Sequence, residues 1–192
     1  MYSNMTEILT PGQVGGAKLD RYHIEGFAAF YNHITPGDYV RLFVDGTLMM
    51  SNTDMEKWTS LKFVRQATGD VLICGLGIGL VLLPLFKNPS VKTITVIEQS
   101  QDVIDLILPQ IKEYDTESKL TVICADCFEW EATDRYDTIF IDIWPAINRD
   151  IYDEEMVPLK KKYCKFLSGD RRRTGRCIVW AWEHARDERP LI

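Results

Sequence analysis

Apolar and polar positions change period repeatedly along this chain, and each change predicts an element. In the stretch "DYVRLFVDGTLMMSN" two β-prone runs flank Asp45-Gly46, the pair that favours a two-residue turn with positive φ, so a β-hairpin is expected. Thr53 and Glu56 follow at capping-box spacing. Beyond them Met55, Trp58, Leu61 and Phe63 or Val64 recur on nearly one helical face, which predicts a helix of about three turns. From Val71 onward strand and helix patterns alternate. Val71 to Cys74 is wholly apolar, as befits a strand covered on both faces. A helix is expected from near Gly79, kinked or cut short by Pro84. "VKTITVIE" reads as the second strand, after which Ser100 is placed to N-cap a helix whose apolar face carries Val103, Ile104, Ile107, Leu108 and Ile111. "LTVICAD" and "YDTIFIDI" read as strands three and four. Between Asp153 and Leu167, Met156, Leu159, Tyr163 and Phe166 recur at helical spacing, and "RCIVWAWE" is either a fifth strand or a helix. The first twenty residues show little periodicity and are read as a loosely packed arm.

Alternation of this kind defines an α/β fold: a three-layer, Rossmann-like sheet with right-handed crossovers, short at its C-terminal end, carrying an N-terminal β-hairpin and helix as an appendage. Residues 1–68 are assigned to the arm, hairpin and helix and residues 69–192 to the core, forming one compact unit. At 192 residues the chain is long enough for a proper core. The net charge of −6 argues against general polyanion binding, with one local exception. Lys160, Lys161, Lys162, Lys165, Arg171, Arg172, Arg173 and Arg176 form a basic cluster that is either a solvated face or a nucleic-acid contact. Five cysteines, an odd count in mostly apolar surroundings, fit reduced thiols, and the lone Cys124-x-x-Cys127 lacks the second ligand pair that zinc needs. No apolar run is long enough to cross a bilayer and the N-terminus has no signal-peptide pattern, so a cytoplasmic protein is expected. A homodimer joined through hairpin edges is a further expectation.

The candidate chemistry sits in "VLICGLGIGL". In an open parallel sheet ligands bind beyond the carboxyl ends of the strands, where this loop falls. Dinucleotide binding wants G-x-G-x-x-G, whose third glycine would stand at Leu80, and no Gly-Lys-Ser/Thr follows to make a phosphate loop. Gly75, Gly77 and Gly79, with Leu76 between them, instead have the spacing with which S-adenosylmethionine is commonly held, and Glu98 ends the next strand as an acceptor for a ribose diol. Asp126 ends the third strand, where it either takes an adenine amino group or caps a helix. Gln99 and Cys127, next to those acids, complete the expected cofactor contacts, and Asp142 at the end of strand four is the candidate to position or deprotonate an acceptor. Trp144 either stacks on the acceptor, shields the sulfonium or packs under a loop.

From about Tyr39 to Trp144 these motifs resemble the spermidine synthase branch of the class I methyltransferase-like superfamily, carried by "FVDGTLMMSNTDMEKW", "VLICGLGIGL", "ITVIEQS", "ICADCFEW" and "RYDTIFIDIW". The segment "IDIWPAI" is also similar to one found in small phage-associated methyltransferase-like proteins. The resemblance implies S-adenosylmethionine or its decarboxylated form as cofactor. The sequence departs from it at four places. Ile78 stands where the family has an aspartate for the amine of the decarboxylated cofactor, and Pro145 replaces the second acid after strand four. Met49 and Trp58 replace a glutamine and a tyrosine. These departures favour intact S-adenosylmethionine and methyl transfer to an amine or hydroxyl of a small-molecule acceptor. A cofactor-binding protein without efficient catalysis, a diverged aminopropyltransferase and a nicotinamide-dependent protein stay open as alternatives.

Overall fold

The computed structural model describes residues 2–169 and 176–191. Two sheets organise them. The first is an antiparallel meander of β1 (Gly12–Val14), β2 (Ala17–Ile24), β3 (Gly37–Val44) and β4 (Thr47–Ser51). The second is a parallel sheet of β5 (Gly69–Cys74), β6 (Val91–Glu98), β7 (Leu120–Cys124), β8 (Thr138–Ile141) and β9 (Cys177–Val179), in the order β7-β6-β5-β8-β9. The chain therefore runs outward from β5 to β7 and then returns to the other side of β5, leaving a topological switch point between β5 and β8.

Short helices α1 (Met5–Ile8) and α2 (Gly26–Tyr31) precede β1 and β3, α6 (Arg149–Ile151) follows β8, and helices cover both faces of the parallel sheet, as the wholly apolar run from Val71 to Cys74 in β5 requires. Because side chains alternate along a strand, Val71 and Ile73 join a core with Phe63 of α3 (Asp54–Gln66), Leu82 and Leu85 of α4 (Leu82–Phe86) and Ile107 of α5 (Gln101–Ile111). Leu72 and Cys74 face the opposite way, toward Met156 and toward Leu159 and Tyr163 of α7 (Val157–Tyr163). Phe63 stacks on Phe140 of β8 with ring centroids 4.2 Å apart, which fixes α3 against the sheet. α4 begins at Leu82, later than the expected start near Gly79, and spans five residues with Pro84 in its first turn, and Ser100 does cap α5 by accepting the Val103 N–H at 3.3 Å. The segment "RCIVWAWE" divides: β9 ends at Val179, Ala181 takes φ 51°, and a short helix, Trp182–Asp187, follows.

Two expectations are corrected. The first twenty residues are no loose arm: Met5 and Leu9 are fully buried, β1 and β2 extend the expected hairpin to four strands, and two hydrogen bonds tie the segment to α5. In these Thr10 N–H donates to Gln110 Oε1 at 2.7 Å and Gly16 N–H to Asp102 Oδ2 at 2.8 Å. The alternation along β2 was masked by the polar residues Asp20, Arg21 and His23, which are carried on a partly solvated strand. The hairpin itself is as expected, with Asp45 at φ 49° and Gly46 at φ 80°. The capping box is not. Thr53 is the N-cap of α3 without a side-chain cap bond, and Glu56 is turned inward.

Candidate active site

A cavity of about 480 Å³, within the range of small-molecule sites, opens at the carboxyl ends of the parallel strands. All five strands deliver the residues that follow them. Gly75 and Leu76 come from β5, Glu98 and Gln99 from β6, Ala125 and Asp126 from β7, Asp142 to Trp144 from β8, and Trp180 from β9. The antiparallel sheet supplies a further wall through Leu42, Val44, Met49 and Met50.

Eight of the nine predicted site residues border this cavity: Gly75, Leu76, Gly77, Glu98, Gln99, Asp126, Cys127 and Asp142. Glu98 faces the glycine loop. Its Oε2 accepts the Leu76 N–H and its Oε1 the Ser100 N–H, both at 2.9 Å, so the carboxylate holds the loop and the start of α5 in place. One lone pair on each oxygen stays available for a diol. Asp126 caps no helix: a turn follows it, its Oδ1 accepts the Phe128 N–H at 2.8 Å, and it borders the cavity as well.

Gly79 is the exception. A Cβ there would stand 2.8 Å from Ile111 Cδ1, so this glycine serves the packing of α5 and does not reach the cavity. Ile78 is likewise fully buried in the core and absent from the cavity wall, which removes it from any contact with a cofactor's amino-acid end. Gly75 is needed for a different reason than a ligand. It has φ 99°, and a Cβ would stand 2.0 Å from the backbone oxygen of Asp142, so only glycine lets β5 and β8 approach at their ends. At Gly77 a Cβ would meet Met50 Sδ at 2.5 Å, so the thioether leans over the loop while the cavity stays open beside it.

Among the wall residues that escaped the sequence reading are Trp180, Glu155 and Glu56. Trp180 donates its indole N–H to Thr59 Oγ1 at 2.8 Å, joining the end of β9 to α3. Glu155 accepts the indole N–H of Trp144 at 2.7 Å, which holds Trp144 in the wall. Glu56 is 8% exposed, and burial pushes its carboxyl up to about 7, with the Ser51 backbone N–H drawing it partly back. Burial also raises Asp142 well above the ordinary carboxylate range, and the charge of Glu56 adds to it. Asp142 keeps some accessible surface where it borders the cavity, while protein atoms crowd the carboxyl from the other sides. The only sequence signal for Glu56 was its position on the first turn of a helix, which pointed to capping.

Among the described residues no Lys, Arg or His lines the cavity. Of the basic cluster, Lys162 pairs with Glu131 at 3.1 Å and Lys160 stands 3.9 Å over the Trp182 ring. Arg171, Arg172 and Arg173 lie outside the described residues. The two cysteines of the C-x-x-C diverge, Cys124 exposed and Cys127 buried. No helix among the described residues is long and apolar enough to cross a membrane.

This sheet order, with its site at the switch point, defines a Rossmann-like fold of the class I methyltransferase type. The family model of the spermine/spermidine synthase domain matches residues 60–167, and the chain belongs to that family. A spermidine synthase solved with the transition-state analogue AdoDATO is 18% identical with TM-score 0.50, over 82% of this chain and 52% of its own. The spermidine synthase from Thermotoga maritima is 18% identical with TM-score 0.45, over 75% of this chain and 50% of its own. Coclaurine N-methyltransferase bound to N-methylheliamine and SAH is 20% identical with TM-score 0.47, over 66% of this chain and 35% of its own. The chain thus spans about half the length of the spermidine synthases it matches. No curated protein sequence matches it.

Proposed function

We propose that the protein binds an adenosyl sulfonium cofactor in this cavity and catalyses transfer of an alkyl group from it to an amine or hydroxyl of a small molecule. The observation that carries the reading is Glu98: a strand-end carboxylate, fixed by two backbone N–H groups of the adjoining loops, borders a cavity of suitable size beside Gly75 and Gly77. Glu98 would take the ribose hydroxyls, and Asp126 the adenine amino group through its remaining oxygen. The cofactor, when bound, supplies an electrophilic carbon on a positively charged sulfur. The chain's own part is alignment: Trp144, held by Glu155, and Asp142 fix the acceptor's approach, and the apolar residues Leu42, Met50 and Phe140 exclude water.

Methyl transfer from intact S-adenosylmethionine is the first reading, supported by Pro145, which borders the cavity where the resemblance expects a second acid for a diamine. A specific observation favours aminopropyl transfer as the second: Ile78 packs in the core, and the cavity has carboxyl side chains but no described cation to receive the carboxylate of intact cofactor. Calorimetric titration with S-adenosylmethionine, S-adenosylhomocysteine, the decarboxylated cofactor and NAD tests both. Binding of the adenosyl sulfonium compounds and not NAD is expected. Binding of NAD alone would overturn the reading, and a preference for the decarboxylated form would select the aminopropyl version.

A further inference from the structure

The five cysteines are all free, and two of them converge on one carbonyl oxygen. Cys164 ends α7 and donates its backbone N–H to the oxygen of Lys160. Cys177 opens β9, and its Sγ–H donates to that same oxygen at 3.9 Å. Both side chains belong to one apolar cluster with Leu159, Tyr163 and Leu167, so the packing of α7 against β9 sets their approach. The thiols face each other within hydrogen-bond reach. Their access differs: Cys177 is only 2% exposed, whereas Cys164 is half-buried and keeps accessible surface.

The thiolate is the nucleophilic form of cysteine, and this arrangement favours it on one sulfur. A hydrogen bond from Cys177 draws the Cys164 thiol down to about 7, against its burial and with help from the Lys160 ammonium. Cys177, as the donor and the more buried group, is held up. Its S–H rests on the Lys160 oxygen while Cys164 is protonated and turns to the Cys164 sulfur when that ionises. A nucleophilic thiol that solvent reaches, backed by a second thiol that its neighbour reaches, divides the work as a peroxide-reactive and a resolving cysteine do. The other cysteines are placed differently. Burial pushes Cys74 well up, with Cys127 beside it at the cavity, and exposed Cys124 turns its thiol to the Gln99 oxygen at 3.6 Å.

We propose that Cys164 and Cys177 form a reversible disulfide site that responds to hydroperoxides, with Cys164 the attacking and Cys177 the resolving residue. The Cys164 thiolate attacks one peroxide oxygen: an S–O bond forms, the O–O bond breaks, and hydroxide leaves. The Cys177 sulfur then attacks the sulfenic sulfur. An S–S bond forms, the S–O bond breaks, and the departing hydroxyl takes the Cys177 proton as water. The two thiols lose two electrons to the peroxide, and a dithiol returns them by exchange. The bond ties the end of α7 to the amino end of β9, whereas the cavity opens at the carboxyl ends of the strands, so the inference is independent of what the cavity binds.

The test is peptide mapping by mass spectrometry after brief exposure of folded, reduced protein to equimolar hydrogen peroxide, with the remaining thiols alkylated under denaturing conditions. It compares wild type, Cys164→Ser, Cys177→Ser and wild type unfolded in urea during the exposure. In the folded wild type a cross-linked Cys164–Cys177 peptide is expected, formed at least about ten-fold faster than any other oxidised cysteine product and lost on treatment with dithiothreitol. In Cys177→Ser, whose hydroxyl keeps a donor for Cys164, oxidation stops at a Cys164 sulfenic acid that dimedone traps; in Cys164→Ser, Cys177 stays alkylatable. In urea the preference is lost, because Cys124 and Cys127 are closer in sequence and only the fold favours the other pair. First oxidation at Cys124, a Cys74–Cys127 bond formed ahead of this one, a Cys164 sulfenic acid that persists in wild type, or a preference that survives urea overturns the proposal. The mapping of wild-type protein decides the question even where a serine variant does not fold.

Discussion

Replacing Glu56 by glutamine is expected to stabilise the protein, and the gain should depend on pH in a way that geometry dictates. Glu56 is almost fully buried at the cavity wall, and its carboxyl titrates at about 7 in place of the ordinary 4.5. Ionising such a group only after the unfolded chain has already ionised costs the folded state about 3 kcal/mol. The direction follows from proton counts. Below pH 4.5 both states keep the proton and nothing is lost. As pH rises from there to about 7 the unfolded chain gives up its proton first, so stability falls, and above about 7 the deficit is constant. Glutamine has the same shape and no proton to lose. Urea denaturation of both proteins between pH 4 and pH 8.5 should therefore give similar stability at the acid end and a gain of about 3 kcal/mol for Glu56→Gln at the alkaline end. Relief of Asp142, whose carboxyl is raised partly by the charge of Glu56, contributes to that gain. A difference that is constant across pH, or a variant less stable than wild type at pH 8, would refute the reasoning, since it would mean that Glu56 has a compensating partner.

Further outcomes test the rest of the site. Gly75→Ala should lose cooperative folding in thermal denaturation followed by circular dichroism, because its Cβ would stand 2.0 Å from the Asp142 backbone oxygen at a strained φ of 99°. Glu98→Ala leaves the N–H groups of Leu76 and Ser100 without their acceptor, which predicts a stability loss of about 1–3 kcal/mol together with at least about ten-fold weaker S-adenosylhomocysteine binding by calorimetry. Trp180→Phe removes the indole donor to Thr59 and should cost about 1 kcal/mol in urea denaturation; an equal loss in a Thr59→Val background would show that the bond carries nothing.

Much of this arrangement was legible in the chain because it is local. Val71 to Cys74 and Ile139 to Ile141 are apolar without interruption, as central parallel strands must be, and Asp45-Gly46 specifies its turn through backbone sterics alone. The intervals between glycine loop, Glu98, Asp126 and Asp142 were readable too, since each stands just past the end of a strand and strand ends converge in such a sheet. What spacing could not convey is direction. Gly79 has the same sequence credentials as Gly77, yet one accommodates Ile111 and the other lies under Met50 at the cavity. Ile78 had the position of a ligand contact and became core.

The sequence by itself determined the α/β class, the parallel strands and the carboxylates that end them, because backbone preference and apolar periodicity act over a few residues. Tertiary packing alone decided that the first twenty residues complete a sheet against α5, that Trp180 closes the wall, and that Glu56 turns from a helix cap into the cavity opposite Asp142. The physical reason is that the cost of a buried charge depends on which groups surround it, and those come from segments far apart in the chain.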